Sequence, residues 1–184
     1  MEYAIVLYFD SETEDYFNKI INDIAGGTAN HSITDAKMPP HITVSSFRTE
    51  KIEDIINALD KNYLSFTAAT VIWPSLGTFV PQVLYAAPVL NKYLLDCCEK
   101  ANQLVGPYVD EPDKFYLPYN WVPHTSLAMN LTPDELKIAF DIAIRQFTFR
   151  AGKSNRLCLA ECNPSSCGPL EIVKYEEIKI WDLA

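Results

Sequence analysis

The stretches Pro39-Pro40-His41-Ile42-Thr43-Val44 and Val122-Pro123-His124-Thr125-Ser126-Leu127 decide how the rest of the chain is read. Each sets Pro-His-x-[Thr/Ser] in an apolar, β-rich run, and in a strand residues i and i+2 share a face. His41 therefore lies beside Thr43, and His124 beside Ser126. The same alternation carries Ser45 along the first face and Ala128 along the second. The two stretches stand 83 positions apart, as do Thr49 and Thr132, while Ser11 and Asn91, like Gly26 and Gly106, stand 80 apart. A duplicated strand–helix–strand–helix unit with one three-residue insertion accounts for these offsets, and the period is too long for a solenoid.

Working outward, Tyr3 to Phe9 reads as a buried strand. Ser11 with Glu14 reads as a capping box opening a helix whose face is Phe17, Ile20, Ile21 and Ile24. His41 to Phe47 is a strand with Ile42, Val44 and Ser46 on one face, and Thr49 is placed to cap a helix carrying Ile52, Ile55, Ile56 and Leu59. Ser65 to Trp73 and Gln82 to Val89 read as strands separated by a turn. The order then restarts. Asn91 caps a helix with Leu94, Cys98, Ala101 and Val105 on one face. Thr132-Pro133-Asp134-Glu135 is a helix start with cap, first-turn proline and acid, and Leu131 and Leu136 are spaced as a hydrophobic staple. Arg156 to Glu161 and Glu171 to Trp181 are two further strands joined by a Pro/Ser/Gly loop. The expected organisation is one bilobal domain over 1–184, with a first repeat of about 1–74, a second of about 82–162 and a C-terminal strand at 170–182.

Composition narrows the function. The 24 acidic and 15 basic residues give a net charge of −9, and only four of the basic residues are Arg, which argues against holding long duplex nucleic acid by phosphate neutralisation. No apolar run reaches the length of a membrane span, and Tyr3 to Phe9 is too short for a signal-peptide core, so a cytoplasmic home and no membrane partner are expected. Cys158, Cys162 and Cys167 lack the paired spacing of a zinc site, so no metal is expected there. With six glycines there is neither a dinucleotide fingerprint nor a P-loop, and no cofactor is implied.

Two of the three histidines occupy the matched motifs, while His31 falls in a loop. If the two lobes face each other, two imidazoles and two hydroxyls converge on one cleft. One neutral imidazole can take a proton from water while the other, protonated, gives one to a leaving oxygen. Imidazole is the side chain that supplies both forms near neutral pH. The hydroxyls can donate to phosphate oxygens as charge builds there.

These paired motifs, some eighty residues apart, resemble those of the 2H phosphoesterase superfamily, which includes 2′-5′ RNA ligases and 2′,3′-cyclic phosphodiesterases. The resemblance covers nearly the whole chain. It implies an α/β (α+β) fold: a bilobal pseudo-two-fold duplication whose mainly antiparallel sheets line a central groove, with helices outside. It also implies a metal-independent hydrolase, or a reversible ligase, acting on 2′,3′-cyclic or 2′-5′ phosphodiester bonds. Carried over, His41 and His124 are the acid and base, and Thr43 and Ser126 bind phosphate. The acidic, Arg-poor chain favours a small nucleotide or a short RNA end as partner, handled by a monomer.

Tyr119 and Trp121, with Tyr116, precede the second motif, where a loop could offer a stacking surface for a base. Tyr85, matched with Ile5 on the first strand of the other copy, is a further candidate for substrate contact. The alternative is a non-catalytic nucleotide-binding module of the same fold. A metallohydrolase built on His41, His124 and a carboxylate ranks last, because no carboxylate stands at a ligand-pair spacing.

Overall fold

The computed structural model describes residues 2–165 and 168–184, with side chains described outside 164–173. From the N-terminus come β1 (Glu2–Phe9), α1 (Ser11–Gly27), a one-turn α2 (Ser32–Asp35), β2 (Ile42–Arg48), α3 (Ile52–Asn62) and β3 (Ala69–Trp73). β4 (Ser75–Phe79) and β5 (Val83–Ala87) form a hairpin. Then follow α4 (Lys92–Val105), a two-residue β6 (Glu111–Pro112), β7 (Thr125–Ala128), α5 (Pro133–Gln146), β8 (Arg150–Ser165) and β9 (Gly168–Asp182).

The fold is α+β. One sheet runs β3-β8-β1-β2-β6 with β9 also paired to β8, and the other runs β4-β5-β7. Every pairing in both sheets is antiparallel. The helices cross between sheets: α1 packs on β7 and α5, whereas α4 packs on β2 and α3. One hydrophobic core results, running from Phe9 and Phe17 through Trp73 to Leu127 and Ala143. Trp73 is fully buried edge-on to Phe9 and Phe17, and its indole N–H donates to the Thr125 hydroxyl at 3.2 Å, tying the two sheets together. Among the described residues no helix is long and apolar enough to cross a membrane.

Both motif strands carry a bulge at the same place. Ile5 pairs with Ser45 and Val6 with Thr43, leaving Val44 unpaired. Leu84 pairs with Ala128 and Tyr85 with Ser126, leaving Leu127 unpaired. A bulge inserts one residue and resets the alternation beyond it. Val44 and Ser45 consequently both turn toward α4: Val44 joins the core, and the Ser45 hydroxyl donates to Asn102 Oδ1 at 3.1 Å. Leu127 and Ala128 likewise both enter the core. Strict alternation would have kept Ser45 and Ala128 beside the histidines and Ser46 beside Ile42. The bulge corrects all three, and Phe47 takes the core position instead.

Other departures are local. The cap of α1 is Asp10, whose carboxylate accepts from the Thr13 amide at 2.9 Å, because Asp10 and not Ser11 holds the extended backbone. Glu14 instead accepts from the Phe9 amide and pairs with Arg156. Thr49 does not cap α3, which opens at Lys51; its hydroxyl donates to the Tyr108 carbonyl and accepts from the Lys51 amide. Asn91 and the Thr132–Glu135 capping box stand where they are expected. β4 occupies the segment read as a turn, and the last hairpin pairs on to Ser165 and Gly168, shortening its loop. Cys167 lies outside the described residues; Cys97, Cys98, Cys158 and Cys162 are free thiols.

Candidate active site

His41 and His124 stand at the entrances of β2 and β7, each after a proline. Proline fixes its own φ and holds the residue before it extended. That places the carbonyl two residues back within reach of each imidazole. Nδ1 of His41 lies 2.8 Å from the Pro39 oxygen, and Nδ1 of His124 lies 2.8 Å from the Val122 oxygen. A carbonyl only accepts, so Nδ1 carries the proton in both rings and each neutral imidazole is left with Nε2 as an acceptor. Both rings are half-buried, and His124 is near enough for its charge to act on His41.

Thr43 and Ser126 stand two residues further on, each immediately before its bulge. Both side chains are half-buried, and among the described residues neither hydroxyl has a protein hydrogen-bond partner. The Thr43 backbone oxygen accepts from the Trp121 indole at 3.0 Å. The four residues of the paired motifs are thus placed on the two sheets with Nδ1 of each imidazole held by a carbonyl and, among the described residues, both hydroxyls without a protein partner.

Burial sets the charge state. It pushes His41 down to about 4, opposed by the Pro39 carbonyl and aided by the His124 charge. Burial lowers His124 too, against the stabilising Val122 carbonyl. Both rings are therefore neutral at pH 7 in the free protein. Beside His41, Val6 and Tyr8 of β1 and Cys158 and Ala160 of β8 form a small apolar floor on the sheet face opposite the core. Burial pushes the Cys158 and Cys162 thiols up to about 12, so neither supplies a thiolate nucleophile near neutrality.

The walls are aromatic. Tyr175 stacks on His41 at 5.7 Å between centroids and 23° between planes, and Tyr8 approaches its edge at 6.4 Å. His124 is flanked by Phe79 edge-on at 5.0 Å, Tyr85 at 5.5 Å and Tyr116 at 6.3 Å. Gly77 makes room for this. A Cβ there would come within 2.5 Å of the Tyr85 ring, which lies across β4.

Of the sequence-picked aromatics, Tyr85 does reach His124. By register its counterpart in the first sheet is Val6, and Ile5 corresponds to Leu84 and faces the core. Trp121 must be corrected: it is 6% exposed, packed in the core and committed to the Thr43 carbonyl, so it offers no stacking face. Tyr119 is 86% exposed, and its hydroxyl donates to Glu99 on α4 rather than meeting either histidine ring. Tyr8, Phe79 and Tyr175 escaped the sequence reading. They lie on strands remote in sequence from the motif each one serves, and only the register brings them there. His31 is exposed. Among the described residues no group of three or more His, Cys, Asp or Glu could hold a metal ion.

Solved structures resemble this chain in fold. TT0787 of Thermus thermophilus shares 15% identity at a TM-score of 0.66, with 100% of this chain and 98% of that one covered. A phosphoesterase shares 11% at 0.61 over 100% and 98%. E. coli LigT complexed with 3′-AMP shares 12% at 0.59 over 100% and 98%. The fold is theirs. No family model matches the sequence, and no curated protein matches it either, so the likeness is one of fold over the full length.

Proposed function

We propose that the protein is a 2H-type phosphoesterase that opens 2′,3′-cyclic or 2′-5′ phosphodiester bonds of nucleotides or short RNA ends without a metal. The observation that carries this reading is the matched pair: two imidazoles pinned by carbonyls at Nδ1, each followed two residues on by a hydroxyl that has no protein partner among the described residues. One neutral Nε2 removes a proton from water as the oxygen bonds to phosphorus. The bond from phosphorus to the ribose oxygen breaks, and the other imidazole, protonated at Nε2, gives that oxygen its proton. Thr43 and Ser126 donate to the non-bridging oxygens, where negative charge grows. With a 5′-hydroxyl in place of water as the nucleophile, the same proton transfers form a new bond to phosphorus as the cyclic ester bond breaks, so a ligase activity needs no further group.

The ligand class draws support from E. coli LigT, which has been crystallised with ATP and with 3′-AMP. The −9 net charge favours a small nucleotide or a short RNA end as partner over a long polyanion, which such a chain repels on average. The test is a panel of 2′,3′-cyclic nucleotides, a 2′-5′ dinucleotide and an RNA with a cyclic-phosphate end, incubated with the native chain, His41→Ala and His124→Ala. Turnover by the native chain and its loss in both variants is expected. Binding of the nucleotides with no turnover by the native chain would favour the non-catalytic module.

A further inference from the structure

We propose that Tyr175, held by the Tyr8 hydroxyl, is a positioning residue that fixes the plane of the His41 imidazole, so that β9 serves the first histidine and leaves the second without an equivalent. The proposal deepens the acid–base reading of His41 and rests on it.

The bond from Nδ1 to Pro39 holds one edge of the His41 ring and leaves its tilt open. Tyr175 closes that freedom by lying nearly parallel to the ring, at 5.7 Å and 23°. Tyr175 is itself fastened, since its hydroxyl and that of Tyr8 share a hydrogen bond of 2.7 Å. Tyr8 lies beneath the Arg156 guanidinium, 5.4 Å from the ring centroid, and Arg156 is anchored by Glu14 and by the Phe9 carbonyl. Four elements, β1, α1, β8 and β9, thus converge on one imidazole. Around His124, among the described residues, no ring lies flat: Phe79, Tyr85 and Tyr116 stand at 88°, 58° and 42°. The three-stranded sheet has no counterpart of β9.

The groups that face His41 are Tyr8 from β1, Tyr175 from β9 and His124 across the site. Behind them Cys158 and Glu177 act on the Tyr8 hydroxyl, while Arg156, paired with Glu14, lies over the Tyr8 ring and acts on the Cys158 thiol. Removing the Tyr175 ring would let water reach the imidazole, which favours its protonated form.

The experiment follows the NMR titration of both imidazoles in the whole, substrate-free protein, with kcat and KM measured on a 2′,3′-cyclic nucleotide. Tyr175→Ala is expected to move the His41 midpoint up from about 4 by roughly one unit or more, leaving His124 in place. It should lower kcat by roughly tenfold while KM changes little, because orientation and not binding is lost. Tyr175→Phe keeps the stacked ring and should restore most of both. An unchanged His41 midpoint in folded Tyr175→Ala overturns the proposal. Should that variant fail to fold, Tyr8→Phe carries the test, with a smaller upward move of His41 alone expected and no move overturning it. Absence of turnover in the native chain counts against the phosphoesterase reading only, since the titration is read without substrate.

Discussion

A histidine becomes an acid–base group when one ring nitrogen is held and the other is left free. At His41 and His124 the preceding proline delivers a carbonyl to Nδ1, which is the arrangement that the proposed acid–base roles require. All the chemistry then falls to Nε2, and loss of either ring should lower kcat/KM by roughly 10²–10⁴-fold. The double variant His41→Ala/His124→Ala should lose far less than the product of the two, because the rings act as a unit. Thr43→Ala and Ser126→Ala should each cost about 1.5–3 kcal/mol of transition-state stabilisation, the worth of a hydrogen bond to a charged group. None of these four changes empties the core, so thermal midpoints should stay near the native value. Full activity in either single histidine variant, measured on a 2′,3′-cyclic nucleotide, would remove that ring from the mechanism.

The strands that carry these residues show what a sequence reveals and what it hides. The motifs, their matched offsets and the helix starts at Asn91 and Thr132 were legible because each is a local signal. The bulges at Val44 and Leu127 were not, since an inserted residue shows only in the register with the partner strand, and Thr43-Val44-Ser45 and Ser126-Leu127-Ala128 read as unbroken strand. β4 was hidden because Leu76-Gly77-Thr78 shows no alternation, and Gly77 is present to let Tyr85 lie across the strand. Trp121 looked like a stacking platform because sequence alone does not say which way a loop aromatic turns. Two variants test these elements. Gly77→Ala should push Tyr85 off its seat beside His124 and lower kcat/KM by roughly 10–100-fold, the effect of a displacement of about 1 Å at a reacting group. Asp10→Ala should cost α1 about 1 kcal/mol in urea unfolding, whereas Ser11→Ala should cost almost nothing. Equal losses at the two positions would return the cap to Ser11.

At the scale of the molecule, two sheets joined through one core hold a pair of neutral histidines in a site they partly desolvate. Neutral burial couples the site to stability. The unfolded chain titrates its histidines near ~6.5, and the folded chain holds His41 at about 4, so the unfolded state takes up the extra proton as pH falls between these values. Stability conferred by that difference is present above pH ~6.5 and fades toward pH 4, by about 1–3 kcal/mol once partial hydration of the ring is allowed for. Urea unfolding at pH 7 and pH 4.5 should show this slope reduced in His41→Gln relative to the native chain, and equal slopes would place His41 in water. The same burial moves the catalytic optimum. A reaction that needs one neutral and one protonated imidazole runs best between the two free-protein pKa values, whichever ring takes which role. Both values lie below 6.5, so the maximum belongs on the acid side of neutrality rather than around it. The measurement that tests the two-histidine claim most directly is therefore kcat/KM against pH for opening a 2′,3′-cyclic nucleotide, with and without EDTA. A bell with its maximum below pH ~6.5, unchanged by the chelator, is the predicted result. A flat profile, or activity abolished by EDTA and restored by a divalent ion, would contradict it.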